Sequence, residues 1–113
     1  MLTYNKRIDE LHTRHKMDIE YELNGIRFRW NESKAKLNTN KHDVSFEQAA
    51  QVFFDPFVQG QDASRNGEQR DAALGCDFEY RVLFVVHLEI EGDFIRIISA
   101  RKADSQEREK YEN

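Results

Sequence analysis

Asp18–Trp30 reads DIEYELNGIRFRW, and this stretch decides the fold. Asn24-Gly25 interrupts two alternating runs. Asn-Gly is the preferred pair for a two-residue type I′ hairpin, because both central residues must take positive φ. Such a loop sets Leu23 opposite Ile26, Tyr21 opposite Phe28 and Ile19 opposite Trp30, so six apolar side chains share one face. On the other face Glu22 meets Arg27 and Glu20 meets Arg29, which are favourable cross-strand charge pairs. Turn chemistry, pattern and charge specify one register.

Downstream, Asn31 is placed to cap a short helix, NESKAKLNTNKH. Ser45 and Gln48 form an S-x-x-Q capping box for a second helix, with Phe46, Ala49, Ala50 and Phe53 on its apolar face. Asp55-Pro56 ends that helix. A short extended piece, Phe57–Gly60, and a polar loop (DASRNGE) follow. Then come three expected strands: Arg70–Cys76, Arg81–Ile90 and Phe94–Ala100. The middle one, RVLFVVHLEI, is apolar on both faces, as a central strand would be. Glu91-Gly92-Asp93 turns the chain, and a helix from Asp104 or Ser105 to Tyr111 closes it. The order β-β-α-α-β-β-β-β-α reads as α+β with a mostly antiparallel sheet.

Residues 17–113 are read as a single domain and residues 1–16 as a peripheral extension, in which Ile8 and Leu11 could support a docked helix over Asn5–His15. The chain has 113 residues, enough for one modest core. No apolar run is long enough to span a membrane, and the N-terminus lacks the apolar stretch of a secretory signal. One cysteine, Cys76, excludes an internal disulfide and a cysteine-based zinc site, and it reads as a small buried residue. The expectation is a soluble cytoplasmic protein. With 17 Lys+Arg against 21 Asp+Glu, the net charge of -4 argues against a broad phosphate-binding surface. The deficit is local, since residues 61–91 hold three basic and seven acidic side chains while residues 92–113 hold five of each. A small arginine-lined pocket is still allowed.

No Gly-rich phosphate loop, HExxH, GxSxG or paired Cys/His spacing is present, so no cofactor and no metal are expected. His12 and His15 do not form a metal motif. Lys34, Asn38 and Lys41 or His42 fall on one helix face, either as a solvated surface or as a stripe that holds a phosphate backbone. His42 could move a proton near neutral pH. His87 shares parity with Leu83 and Val85 and reads as a hydrogen-bonded sheet histidine. Arg81, Arg96 and Arg101 sit at the start, in the middle and just past the end of expected strands. Arg96 interrupts the run FIRIIS, where an apolar side chain would be expected. Glu68 and Arg70 flank the entry to the preceding strand. Either these form a structural network, with Glu68 pairing Arg96, or they form an anion site with one carboxylate. The second arrangement suits metal-independent cleavage of RNA: a base activates the 2′-hydroxyl, cations stabilise the phosphorane and an acid protonates the leaving oxygen. That reading expects Glu68, Arg81 and Arg96 to converge on one open surface; if each is consumed in an internal ion pair instead, the enzyme reading is weakened.

A set of spaced residues carries a resemblance over about three quarters of the chain. It comprises Phe28-x-Trp30-Asn31-x-x-Lys34-Ala35-x-x-Asn38-x-x-Lys41-His42, Ser45-Phe46-Glu47-x-Ala49, Val52-Phe53-x-Asp55-Pro56 and Gly67-Glu68-x-Arg70. Gly75, Arg81-Val82-Leu83, the block IRIISARKA from Ile95 to Ala103, Glu107-Arg108 and Tyr111 complete it. The chain thereby resembles the BrnT family of bacterial toxins. The resemblance implies a RelE-like fold and a ribonuclease of a type II toxin–antitoxin system that inhibits translation. It also implies a BrnA-like antitoxin partner, through which alone the complex would meet operator DNA. Carried over, Glu68, Arg81, Arg96 and His42 are the catalytic candidates, and Lys41, Lys34, Asn38, Arg70 and Arg101 the RNA-binding ones. Asn31 stands where the family usually has Asp, a change that still caps a helix. The runner-up is a non-catalytic module that only binds its antitoxin.

Overall fold

The structure is a computed structural model that describes residues 17–90 and 92–113. The helix expected at Asn5–His15, the extension over residues 1–16, and His12 and His15 lie outside the described residues. Strands β1 (Asp18–Leu23) and β2 (Ile26–Asn31) are followed by helices α1 (Glu32–His42) and α2 (Phe46–Gln51) and a 3₁₀ turn (Val52–Phe54). Strands β3 (Gln59–Asp62), β4 (Asp71–Cys76), β5 (Val82–Ile90) and β6 (Phe94–Lys102) precede the last helix, α3 (Ser105–Glu112). The six strands form one sheet in the order β1-β2-β6-β5-β4-β3. All pairings are antiparallel except β2 with β6. The α+β class and the order of elements are those read from the sequence.

The hairpin has the expected register: Ile19↔Trp30, Tyr21↔Phe28 and Leu23↔Ile26. Asn24 and Gly25 both take positive φ, 50° and 87°, as a type I′ turn requires. Phe28 and Trp30 are fully buried, with Ile19, Tyr21, Leu23 and Ile26 packed around them. Phe46, Ala49 and Ala50 of α2 close this core from one side, against Leu83, Val85, Ile97 and Ala100 of the central strands. Trp30 meets Phe46 edge-on at 5.8 Å between ring centres. Each such ring removed from water stabilises the fold by about 2–3 kcal/mol.

Both N-caps are as expected: the Asn31 side chain accepts from Lys34 N, and Ser45 and Gln48 make a complete capping box. Strand β3 begins two residues later than the expected extended piece. The Asp55 carboxylate takes the Phe57 amide and the Asp55 carbonyl takes the Val58 amide, which turns the chain over 55–58 before it can pair. On the sheet face away from α1 and α2, Leu74 is buried beneath α3. That helix is tied down by Gln59, whose Nε2 donates to the Lys110 and Tyr111 carbonyls, and by Lys110 Nζ donating to Gln61.

Candidate nucleic-acid interface

The strands sort the charged side chains by face. On β6, Ile95 and Ile97 point towards the helices, so Arg96 points away. Strict alternation would turn Arg101 to the opposite face from Arg96. A register shift at Val86/His87 cancels this, so Arg96 pairs with Leu88 and Arg101 with Phe84, two residues of equal parity on β5. Both arginines therefore stand on the face free of α1 and α2. The parallel pairing of β2 with β6 sets Arg29 directly beside Arg96. Arg27 follows on the same face of β2, and the guanidiniums of Arg27 and Arg29 lie 4.5 and 4.0 Å from the centre of the Phe94 ring. Arg101 lies 4.4 Å from the Phe84 ring centre. The result is a patch of guanidiniums interleaved with aromatic rings, the composition that holds a single-stranded nucleic acid by phosphate contact and stacking.

Carboxylates answer these cations. Asp18 accepts from Arg96 Nη2 at 2.8 Å and Glu20 from Arg29 Nη2 at 2.7 Å. Glu107 of α3 takes Arg101 in a two-pronged contact of 2.8 and 2.9 Å. Hydrogen bonding to Arg101 holds the Glu107 carboxyl below its usual range, and the same contact raises the Arg101 guanidinium above its own. None of the three pairs is sealed from water, so an incoming phosphate can compete for each guanidinium.

Glu68, Arg81 and Arg96 do not converge. Glu68 bonds Arg70 at 3.0 Å, not Arg96, so the pairing expected for a structural network is not formed either. Arg70 immediately precedes β4, whose first residue, Asp71, pairs with His87 beside Leu88. Glu68 and Arg70 thus lie near the Arg96 end of the sheet, with β5 between them and Arg96. Arg81 lies at the other end, just before β5. Its Nε bonds the buried Asp77 carboxylate at 2.9 Å and its Nη1 donates to the Asp43 carbonyl after α1. Seven residues of strand separate Arg81 from Leu88, the partner of Arg96, a span of about 23 Å. His42, partly buried in the last turn of α1, and the exposed Lys41 belong to the Arg81 end. Lys34 is exposed in the first turns of the same helix.

Asn38 is corrected outright. It faces inward, donating to the Val44 carbonyl at 3.0 Å and the Ala100 carbonyl at 2.8 Å, and accepting from the Ala100 amide at 3.1 Å. Its amide is consumed in holding α1 to β6, which leaves nothing for a phosphate. Cys76 is half-buried where full burial was expected, because its edge of β4 borders a cleft. His87 does make a sheet hydrogen bond, Nδ1 to the Val85 carbonyl at 3.3 Å, and stands edge-on to Phe53. Burial lowers its pKa from 6.5, against opposing pulls from that carbonyl and from Asp71 and Glu89.

Asp18, Arg27, Arg29 and Phe94 were not singled out from the sequence. Glu20, Glu22, Arg27 and Arg29 read as hairpin charge pairs, and nothing local signals that β2 will lie beside β6. Among the described residues, no group of three or more His, Cys, Asp or Glu side chains is placed to hold a metal, and no helix is long and apolar enough to cross a membrane.

The described residues thus form a small α+β protein whose sheet face free of α1 and α2 is lined by arginines and aromatic rings. A family model described as "Ribonuclease toxin, BrnT, of type II toxin-antitoxin system" matches residues 30–107, and the chain belongs to this family. Such a toxin has a cognate antitoxin as its partner. No curated protein matches the chain significantly. Arg96, Arg101 and Phe94 fall within the matched span, whereas Asp18, Arg27 and Arg29 precede it.

Proposed function

We propose that this chain is a metal-independent endoribonuclease of the cytoplasm that inhibits translation by cutting RNA, and that a BrnA-like antitoxin neutralises it and carries the complex to operator DNA. One observation carries the reading: Arg29 and Arg96 stand side by side on the sheet face free of α1 and α2, next to the Arg27–Phe94–Arg29 cluster. Two guanidiniums at adjacent strand positions match the oxygens of one phosphodiester. A phosphate that takes Arg96 displaces Asp18, whose freed carboxylate is then beside the sugar as the base for the 2′-hydroxyl. The guanidiniums stabilise the charge that builds on the phosphorane oxygens. Glu68 with Arg70, reaching in from beyond Leu88, is the second carboxylate of the site. Lys34 and Lys41, with His42, fall to the surroundings of α1, where they contact the RNA outside the cleavage point, while Arg81 is spent on Asp77 and the Asp43 carbonyl.

A second reading has its own support. Arg29, Arg81, Arg96 and Arg101 each hold a carboxylate in the free protein. A non-catalytic module that only engages its antitoxin would look the same. Induced expression of wild type and Arg96→Ala, followed by growth and RNA integrity, separates the two. The catalytic reading expects arrest and fragmented RNA with wild type, and neither with a folded Arg96→Ala. Purified wild type that leaves RNA intact establishes the binding module.

A further inference from the structure

The largest apolar side chains left in water gather at one place. Among the described residues, the exposed large apolar side chains are Leu37, Phe57, Val58, Phe78 and Tyr80, and all but Leu37 belong to the segments 57–58 and 78–80. Phe57 from the first segment and Phe78 and Tyr80 from the second wall a cleft of about 560 Å³, floored by Phe54, Asp55 and Tyr111. An exposed apolar patch around a cavity marks a protein contact.

The turn that displays Phe78 and Tyr80 is rigid. The buried Asp77 carboxylate accepts from the Glu79 and Arg81 amides, Tyr80 N donates to the Asp77 carbonyl, and Phe78 N donates to Gln51 Oε1. Tyr80 takes a φ of +66°, a left-handed conformation suited to Asn or Gly, while its side chain is 87% exposed. Backbone strain is retained to hold up an aromatic ring that touches little of its own fold. The opposite wall is equally fixed, because Asp55 binds Phe57 N, Cys76 N and the Tyr111 hydroxyl.

Charge selects the occupant. The lining includes Asp55 and Asp77 and no lysine or arginine. Asp77 is balanced by Arg81. Asp55 accepts from neutral donors, and those hydrogen bonds outweigh the upward push of burial and keep its carboxyl below the usual range. A phosphate backbone is repelled from such a cleft, and a peptide with an apolar anchor and a neighbouring lysine or arginine is attracted.

We infer that the Phe57–Phe78–Tyr80 cleft is a docking site for the antitoxin, which inserts an apolar side chain flanked by a basic residue; this rests on the toxin reading. The cleft borders Cys76, whose partner on β5 is Val82, whereas Arg96 pairs with Leu88. Six residues of strand, about 20 Å, separate the two sites. Docking and RNA cleavage are therefore separable by mutation.

The test uses the full chain with its co-expressed antitoxin. Tyr80→Asn relieves the left-handed strain and removes the ring, and Phe78→Asp is the second variant. Both are expected to arrest growth as wild type does, yet to escape neutralisation. With purified proteins in an Arg96→Ala background, calorimetric affinity for the antitoxin should fall about 30-fold or more. Tyr80→Phe should bind as wild type does. Tm of Tyr80→Asn equal to or above wild type excludes unfolding as the cause. Antitoxin affinity within threefold of the parent in both variants overturns the proposal, as does loss of binding to a 2′-O-methyl oligonucleotide, which would assign the cleft to RNA. A free dimer that Tyr80→Asn dissociates would assign it to a second copy and overturn it too. If wild type proves harmless to RNA, the calorimetric arm still decides the docking site, so the two failures are distinguishable.

Discussion

Asn38 on α1 and Ala100 on β6 hold each other by two reciprocal hydrogen bonds, side-chain Nδ2 to carbonyl at 2.8 Å and amide to Oδ1 at 3.1 Å. Helix α1 buries almost nothing else, with Leu37 on its outer side 67% exposed, so this pair does most of the anchoring. Asn38→Ala would strand the Ala100 amide and carbonyl, whereas Thr39 still reaches the Val44 carbonyl. The expected loss is about 2–4 kcal/mol in urea unfolding. Asn38→Asp should cost at least as much, since a carboxylate cannot donate to Ala100. RNA affinity of the folded fraction should be unchanged, which separates an anchor from a phosphate contact.

Arg29 and Arg96 should act as a pair on RNA. Each removed cation lowers the slope of log affinity against log salt by about 0.7 for single strands. Arg29→Ala and Arg96→Ala should each show that drop with a non-cleavable oligonucleotide. Arg81→Ala should leave the slope alone and instead lower stability, because it uncovers the buried Asp77. Equal salt slopes in all three variants would remove the Arg29–Arg96 pair from the site.

The fold was legible because its signals were local. Asn24-Gly25, the alternation on either side, the Asn31 cap and the Ser45–Gln48 box each act within a few residues. The site was legible only in part, because its geometry depends on long-range pairing. Arg96 announced itself as a charge in an apolar strand. Its neighbour Arg29 did not, since only the parallel β2–β6 pairing brings the two together. Arg101 joins them through a bulge that no local pattern encodes. Asn38 misled in the opposite direction, because helical spacing places it with Lys34 and Lys41 while its hydrogen bonds turn it inward. Exposed aromatics such as Tyr80 carry no periodic signal, and their exposure is apparent only once the turn around Asp77 is built.

His87 makes stability depend on pH in the mildly acidic range. Burial sets its folded pKa below the unfolded value of about 6.5, so the unfolded chain binds the proton first as pH falls. The contribution is complete above about pH 6.5 and is lost progressively as pH drops towards the folded value. His87→Phe, which keeps the edge-on contact with Phe53, should flatten unfolding free energy as pH falls below about 6.5. A wild-type profile already flat there would contradict the burial argument.

Gly75 is fixed by close approach. A Cβ there would lie 3.1 Å from Val58 Cγ2, 3.2 Å from the Val52 carbonyl and 3.3 Å from Asp55 Oδ2. The backbone carbonyl cannot move aside without disturbing the 3₁₀ turn. Gly75→Ala should cost about 1–3 kcal/mol and shift the Asp55 wall of the aromatic cleft. Chemical unfolding with an unchanged m-value, together with weaker antitoxin binding, is the expected result.

Asp18 and Glu68 compete for the role of base, and binding against turnover distinguishes them. Asp18 sits on Arg96 at 2.8 Å, so Asp18→Asn removes a competitor of the phosphate as well as a proton acceptor. The variant should bind a non-cleavable oligonucleotide more tightly than wild type while its single-turnover cleavage rate falls by about 10²–10⁴-fold. Glu68 touches Arg70 from the far side of Leu88, so Glu68→Gln should alter binding slightly and leave the rate within an order of magnitude. The reverse pattern, with a large rate loss in Glu68→Gln and none in Asp18→Asn, would move the cleavage point across the sheet to Arg70. Tighter binding without any rate change in Asp18→Asn would keep the cation pair and dismiss Asp18 as the base.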